Sequence, residues 1–221
     1  MLTVHHLNNS RSQRVLWLLE ELEVPYEIVR YQRQPDMRAP KELREIHPLG
    51  KSPVITDSGN TIAESGAIVE YLIGTYGNGH LIPPPNTPAR LRYTYWLHYA
   101  EGSAMPPLLL KLLFTLMPKR APRLLRPLVR KVCNQALTNL VNPQLKQHMA
   151  YWEGELGKTE WFAGNEFTAA DIQMSFPLEA AAARGGLEQG HPKAMAFLDR
   201  IHARPAYNRA LKKGGPYSVG R

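Results

Sequence analysis

A single cysteine, Cys133, is the only thiol in 221 residues. No disulfide can close within the chain, no Cys-x-x-Cys pair exists for dithiol chemistry, and a reducing compartment is the expected setting. The eight histidines do not fall at metal-ligand spacing, so no metal site is expected. No apolar stretch approaches the roughly 18 residues that would suggest a membrane-spanning helix. Residues 1–6 lack the charged and apolar regions of a signal peptide, and a cytoplasmic protein is expected. Internal repeats and low-complexity tails are absent as well. A chain of this length suits one large or two small domains and buries a core without staples.

Acidic residues are missing over one long span: none lies between Glu101 and Glu153. Within it stand Lys111, Lys119, Arg120, Arg123, Arg126, Arg130, Lys131 and Lys146, eight bases that equal the net charge of +8. The basic character is therefore local. Such a patch can meet nucleic acid, anionic lipid or an anionic ligand. Because it is confined to one helical region, it reads as a solvated basic face near the mouth of a site for an anionic peptide. Neither nucleic acid nor a membrane surface is the leading partner.

The chain opens on a strand, residues 2–6, that feeds the polar loop Asn8-Asn9-Ser10. Val15, Leu16, Leu18, Leu19 and Leu22 then repeat at helical spacing, with Glu20, Glu21 and Glu23 expected outside. Val24-Pro25 stops this helix and residues 26–30 alternate as a second strand. Strand, helix and strand in about 30 residues predict a right-handed parallel βαβ unit. A polar segment follows at 33–38, then a short helix with Pro40 in its first turn. Val54-Ile55-Thr56 and Thr61-Ile62-Ala63 flank the turn signature Asp57-Ser58-Gly59-Asn60, predicting a hairpin. A helix over 66–76 completes a β-α-β-α-β-β-α thioredoxin-like domain, residues 1–77. Gly77 ends the helix, and residues 78–88, with Gly79 and four prolines, break the composition and read as a linker. Residues 89–221 are helical throughout. Met105-Pro106-Pro107 predicts a kink in the first long helix, and Pro127 and Pro143 predict a bent or divided second one. Thr168-Ala169-Ala170-Asp171 caps a further helix that runs to about Arg184, with Asp171 structural.

The stretch from Gly50 to Gly66 carries the most chemistry. Ser52-Pro53 sits where a loop enters a strand, and an X-Pro bond adopts cis at a cost of only about 0.5–1 kcal/mol. The bend is expected to turn the backbone of Val54 outward, so that an extended peptide can pair with it as an added strand. Glu64-Ser65 ends the hairpin and opens a helix, whose free N–H groups and partial positive charge hold a carboxylate. Ser65 adds a hydroxyl and Glu64 a charge for an ammonium group. A backbone slot, a carboxylate site and an ammonium site together suit a small zwitterionic peptide.

Gly-Lys-Ser-Pro-Val, a hairpin and then Glu-Ser-x-Ala-Ile-x-x-Tyr-Leu resemble the glutathione site of the cytosolic glutathione transferases. Residues 7–15, Leu-Asn-Asn-Ser-Arg-Ser-Gln-Arg-Val, are similar to the family's catalytic loop, and residues 167–172 to its C-terminal capping motif. The resemblance spans about residues 2–207, and the wording looks most like a branch found in bacteria and fungi. It implies a glutathione transferase fold with glutathione as cosubstrate, a hydrophobic electrophile as second substrate, and a homodimer. Peroxide or disulfide reduction with glutathione is compatible with the same site. A noncatalytic interaction module of the same fold is the alternative.

Against that background Ser10 is the chief catalytic candidate. A hydroxyl donating to the glutathione sulfur, beside a helix N-terminus, favours the thiolate over a thiol of ordinary pKa near 8.5. Ser10 with Gln13 three residues later also fits a capping box. Asn9 is the alternative donor. Glu64 and Ser65 are assigned to the γ-glutamyl end, Val54 to the cysteinyl backbone, and Lys51, with Arg38 and His47 behind it, to the glycine carboxylate. Arg14 reads as a structural ion-pair partner and Cys133 as a small core side chain. Tyr93, Tyr95, Trp96 and Tyr99 read as packing, with Met105, Leu108 and Leu109 as a possible apolar wall for the electrophile.

Overall fold

The computed structural model describes residues 1–36 and 38–219. Its first part is β1 (Thr3–Leu7), α1 (Ser12–Glu21), β2 (Glu27–Tyr31), α2 (Glu42–Ile46), β3 (Val54–Asp57), β4 (Asn60–Ala63) and α3 (Ser65–Tyr76). The strands form one sheet in the order β2-β1-β3-β4. β1 runs parallel to β2 and antiparallel to β3, and β3 runs antiparallel to β4. The β3–β4 turn works because Ser58 and Gly59 both take positive φ, 49° and 84°, the requirement of the tight hairpin turn whose twist matches its strands. Asp57 then ties the hairpin to α3 by accepting from Tyr71 Oη at 2.9 Å and from Tyr76 Oη.

α1 is the hub of this part. Val15, Leu16, Leu18 and Leu19 are fully buried, as their spacing predicts. Of the acidic residues expected outside α1, Glu23 is exposed but Glu20 and Glu21 are not. Glu20 is 6% exposed and accepts from Tyr26 Oη at 2.7 Å and Arg209 Nε at 2.9 Å, with Lys213 Nζ at 2.5 Å. Glu21 takes both Arg204 Nε and Nη2, at 2.6 and 2.8 Å. The reason is the last helix, α10 (Pro205–Gly214), which returns with Arg204 just ahead of it from the far end of the chain to cover that face.

The second part is all helical: α4 (Pro88–Tyr99), α5 (Met105–Arg120), α6 (Arg126–Ala136), α7 (Asn142–Leu156), α8 (Ala169–Arg184), α9 (Pro192–His202) and α10 (Pro205–Gly214). The chain therefore pairs an α/β thioredoxin-like unit with an all-α unit. α4 and α5 are one rod joined by a π-helical turn over Ala100–Ala104, and α6 and α7 are joined in the same way over Leu137–Val141. Each wide turn stands just ahead of a proline, Pro106 or Pro143. Proline lacks the N–H that an α-turn needs, and the shift of one residue lets Met105 N reach Ala100 O and Asn142 N reach Leu137 O. The sequence predicts a kink at the first of these points and a bent or divided helix at the second; the backbone absorbs both prolines by widening.

α8 runs through the middle of the helical unit and is buried from Ala169 to Ala181. Its start is held by Asp171, whose carboxylate accepts from Thr168 N at 2.8 Å, Thr168 Oγ1 at 3.0 Å and Phe162 N at 2.8 Å. Trp96, Phe162 and Phe197 pack through the core, tilted and then edge to face, at centroid distances of 4.5 and 5.1 Å. Cys133 is 2% exposed, packed on the inner side of α6. Among the described residues no helix is long and apolar enough to cross a membrane.

Candidate functional site

A cleft of about 220 Å³ opens between the N-terminus of α1, the loop before β3, the N-terminus of α3 and the π-helical turn after α4. One wall is His47, Leu49, Lys51, Ser52 and Pro53; the other is Ala63, Glu64 and Ser65, closed by Arg11 and Glu101. The sequence placed Lys51, Glu64 and Ser65 together, and the structure brings all three to this cleft. The Ser52–Pro53 bond is cis.

Val54 is not at the cleft. It is fully buried, in register with His5 of β1 on one side and Ala63 of β4 on the other. A strand residue directs its N–H and C=O to one side, and on either side of Val54 a strand already lies. No added peptide can pair there. Ser52 lies ahead of the cis bond to Pro53 and stands beyond the last β1–β3 pair, which is His5 with Val54. It lines the cleft, so Ser52 rather than Val54 is the candidate to meet a peptide backbone.

The α3 end of the cleft is a charged network. Glu64 has φ 70° and ψ 123°, a conformation sparsely populated by non-glycine residues, and α3 starts directly after it. Nothing lies within 4 Å of a Cβ placed on Gly66, so the first turn of α3 is open, and its N–H groups have no partner within the helix. Ser65 Oγ is 3.2 Å from Arg14 Nη2, 3.4 Å from Gln173 Nε2 and 3.4 Å from Glu101 Oε1. Arg14 also donates to Gln173 O at 2.6 Å and to Glu101 Oε1 at 2.5 Å, while Arg11 Nε lies 2.9 Å from Glu101 Oε2. Arg14 is the structural ion-pair partner that its place in the sequence predicts. Burial opposes charge on Glu101, but Arg14 and then Arg11 outweigh it and hold the carboxyl below its usual range. Both guanidiniums sit over the Phe176 ring, at 5.4 and 5.3 Å.

At the α1 end, Ser10 is 4% exposed and belongs to a chain of hydroxyls. Ser52 Oγ is 3.1 Å from Ser10 Oγ, which is 2.7 Å from Ser12 Oγ, which is 2.9 Å from His6 Nδ1. Burial first, and Arg30 second, push the His6 pKa down to about 4, so its ring is neutral near pH 7. The relay therefore runs from a buried neutral imidazole to a hydroxyl on the cleft wall. The predicted capping box does not form. α1 begins at Ser12, Ser10 Oγ accepts from Ser12 N at 3.2 Å, and the Gln13 side-chain nitrogen and oxygen are buried without hydrogen bonds. Asn9 takes φ 50°, which asparagine tolerates better than most residues. Its Oδ1 accepts from Ser218 N at 2.8 Å and Ser218 Oγ at 3.1 Å, turning that side chain to the C-terminal segment.

Other expectations fall away from the cleft. Arg38 is exposed and lies 3.6 Å from Asp36. Met105 and Leu108 are buried and Leu109 is 49% exposed, and none of the three lines the cleft. None of the eight bases between Glu101 and Glu153 lines it either. Sequence reasoning missed Glu101, Arg11, Ser52 and the His6–Ser12 backing. The signals available were the i, i+3 spacing of Arg11 and Arg14 on one helix face and the position of Glu101 as the last acid before the acid-free span.

Chemically, the cleft offers a helix N-terminus and a hydroxyl for a carboxylate, two carboxylates for an ammonium group, a lysine and a histidine for a second carboxylate, and a hydroxyl relay for an anion such as a thiolate. Comparison with known proteins agrees with that chemistry. The family model for the glutathione S-transferase N-terminal domain matches residues 1–73, and that for the C-terminal domain matches residues 116–205. The chain is 36% identical over 213 residues to glutathione S-transferase 3 of Schizosaccharomyces pombe, covering 96% of this chain and 88% of that protein. The fold is similar to that of a glutathione S-transferase from Actinobacillus pleuropneumoniae, with a TM-score of 0.81, 30% identity, and coverage of 100% and 96% of the two chains. A sphingomonad glutathione S-transferase complexed with glutathione matches with a TM-score of 0.73 at 23% identity, covering 96% and 98%.

Proposed function

Because this chain belongs to the glutathione S-transferase family, as an enzyme of that family, we propose that its cleft binds glutathione, stabilises the thiolate and adds it to a hydrophobic electrophile. The observation that carries the reading is the joining of two devices in one cleft: the charged network around Ser65 at the start of α3 and the hydroxyl relay through Ser10 at the start of α1. The γ-glutamyl carboxylate meets Ser65 and the open first turn of α3, and its ammonium meets Glu64 and Glu101. The cysteinyl backbone lies along Ser52. Lys51 and His47 take the glycine carboxylate.

The thiol is then directed to the α1 end, where Ser10 donates a hydrogen bond to sulfur and favours loss of its proton. The thiolate lone pair forms a C–S bond, and the electrophile either expels its leaving group or takes up a proton. The same thiolate can attack a peroxide or a mixed disulfide, with a second glutathione as the reductant. The relay also admits a second polarity. A hydrogen bond from His6 to the Gly214 backbone leaves Nδ1 as an acceptor, so Ser12 donates to His6 and Ser10 donates to Ser12, and Ser52 becomes the donor to sulfur by turning its one proton away from Ser10. We further propose a homodimer in a reducing, cytoplasmic compartment, with the exposed Leu91 and Tyr95 of α4 on the contact face.

Ultraviolet titration of bound thiolate tests the assignment. Ser10→Ala is expected to raise the sulfur pKa by about one unit, worth about 1.4 kcal/mol, with glutathione affinity nearly unchanged. Asn9→Ala is expected to leave it where it is, because that side chain serves the C-terminal segment. A shift in Ser52→Ala alone transfers the role to Ser52. No shift in any of the three means that backbone N–H groups hold the thiolate and the relay is structural.

A further inference from the structure

The α5–α6 hairpin carries a surface that the cleft does not use. Leu124 at its tip is 95% exposed, and Leu125, Leu128 and Val132 are 54%, 63% and 59% exposed. The last three recur at i, i+3 and i+7 and so form one stripe along α6. That stripe is not a core face, since the buried side chain of α6 is Cys133. Lys119 and Arg123 stand near the same tip, and Arg130 stands on the side of α6 that faces α5, all exposed. Among the described residues, no cation of this hairpin pairs with a carboxylate.

A cavity of about 320 Å³ between α5 and α6 gathers Lys119, Arg126 and Arg130 beside Phe114 and Pro118. Arg126 Nε is buried without a hydrogen bond, and its Nη2 makes only 3.5 Å contacts with the carbonyls of Lys119 and Ala121. Three cations around a small recess suit a phosphate group, and the exposed Leu124 and Leu125 at the adjoining tip suit what lies behind a lipid phosphate.

We propose that this hairpin docks on the surface of an anionic phospholipid bilayer, with Leu124, Leu125 and Leu128 entering the headgroup–acyl boundary and the recess holding a lipid phosphate. A basic amphipathic element with exposed leucines binds such a surface by combining apolar burial with attraction to anionic headgroups. The two obvious competitors use only half of the surface. A second copy would oppose one acid-free face to another, setting like charges together. Nucleic acid would use the cations and leave the leucines in water, since positioning contacts to its backbone are polar.

Flotation of the full chain with vesicles tests the proposal, comparing phosphatidylcholine alone with equal parts phosphatidylcholine and phosphatidylglycerol. Binding to the mixed vesicles is expected to be at least about tenfold tighter, given about fivefold per basic side chain at such a surface, and to weaken with added salt. Leu124→Ser with Leu128→Ser is expected to reduce it by about tenfold or more. Arg123→Glu with Arg130→Glu is expected to remove the lipid preference. Circular dichroism and turnover in vesicle-free buffer check that both variants keep the wild-type fold and activity. Equal binding to the two vesicle types overturns the proposal, as does binding that ignores the leucine change. So does a leucine variant whose only effect is to dissociate an oligomer on sedimentation, or a chain that prefers duplex DNA to the mixed vesicles.

Discussion

Replacing Glu101 with glutamine removes a charge and almost no volume from the wall of the cleft. Arg14 makes that change costly. It is 2% exposed, and besides Glu101 it donates to the neutral Gln173 carbonyl and the Ser65 hydroxyl. The amide still offers an oxygen to Arg14 Nη2, so that hydrogen bond survives, while its NH2 faces Arg11 Nε and that contact is lost together with the charge compensation. Breaking a buried pair from one side costs about 3–5 kcal/mol. The Glu101 side chain is 31% exposed, and water reaching it reduces the expected cost to about 3 kcal/mol. For 221 residues, an unfolding entropy of about 2.1 cal/mol/K per residue converts that to a fall of about 6 °C in Tm. The pH dependence has a definite sign. Glu101 is held below its ordinary value of 4.5 because Arg14 and Arg11 outweigh burial. The folded form binds this proton less readily than the unfolded chain, so the stabilisation is complete above about 4.5 and is lost as pH falls through the depressed folded value. Scanning calorimetry should therefore show the full gap between wild type and Glu101→Gln at pH 7 and a narrowing gap in more acidic buffer. Adding Arg14→Met to Glu101→Gln should recover stability, because the uncompensated cation is gone. Co-melting of Glu101→Gln with wild type at pH 7, or a gap that ignores acidification, refutes the reasoning.

Ser65→Ala should weaken glutathione binding by about tenfold or more, since a hydrogen bond to a charged group contributes about 1.5–3 kcal/mol; unchanged affinity by calorimetry removes Ser65 from the site. Asp171→Ala leaves the buried N–H groups of Phe162 and Thr168 without their acceptor. At about 1–3 kcal/mol for each, the urea midpoint should fall by the equivalent of about 3 kcal/mol, and an unmoved midpoint would mean that water or the chain supplies other partners. Cys133→Ser should retain turnover with glutathione, because the thiol is packed inside α6 and does not line the cleft; a folded but inactive variant would bring protein thiol chemistry back into the mechanism.

What the sequence by itself determined is what short-range covalent geometry and local chemistry decide. The β3–β4 turn needs two positive φ angles, and Ser58-Gly59 supplies them. Prolines at 106 and 143 cannot donate, so an irregular turn near each is legible, though not its π-helical form. Thr168 and Asp171 are three residues apart and close their hydrogen bonds within one turn. Lys51, Glu64 and Ser65 belong to one continuous stretch folded back by a hairpin, and their meeting at the cleft is already implied by it.

Only the tertiary structure decided the rest, because it depends on which distant segment returns to a given face. Val54 looks open until β1 and β4 close on both its sides, and Ser52 inherits the open position. Glu20 and Glu21 look solvated until α10 lays Arg204, Arg209 and Lys213 over them. Glu101 joins Arg14 across 87 positions of sequence, and Asn9 is taken by Ser218 across 209. A side chain's spacing along the chain settles which of its neighbours on the same element it faces. Its hydrogen-bond partners, and with them its charge state and its part in the chemistry, come from whichever element packs against it.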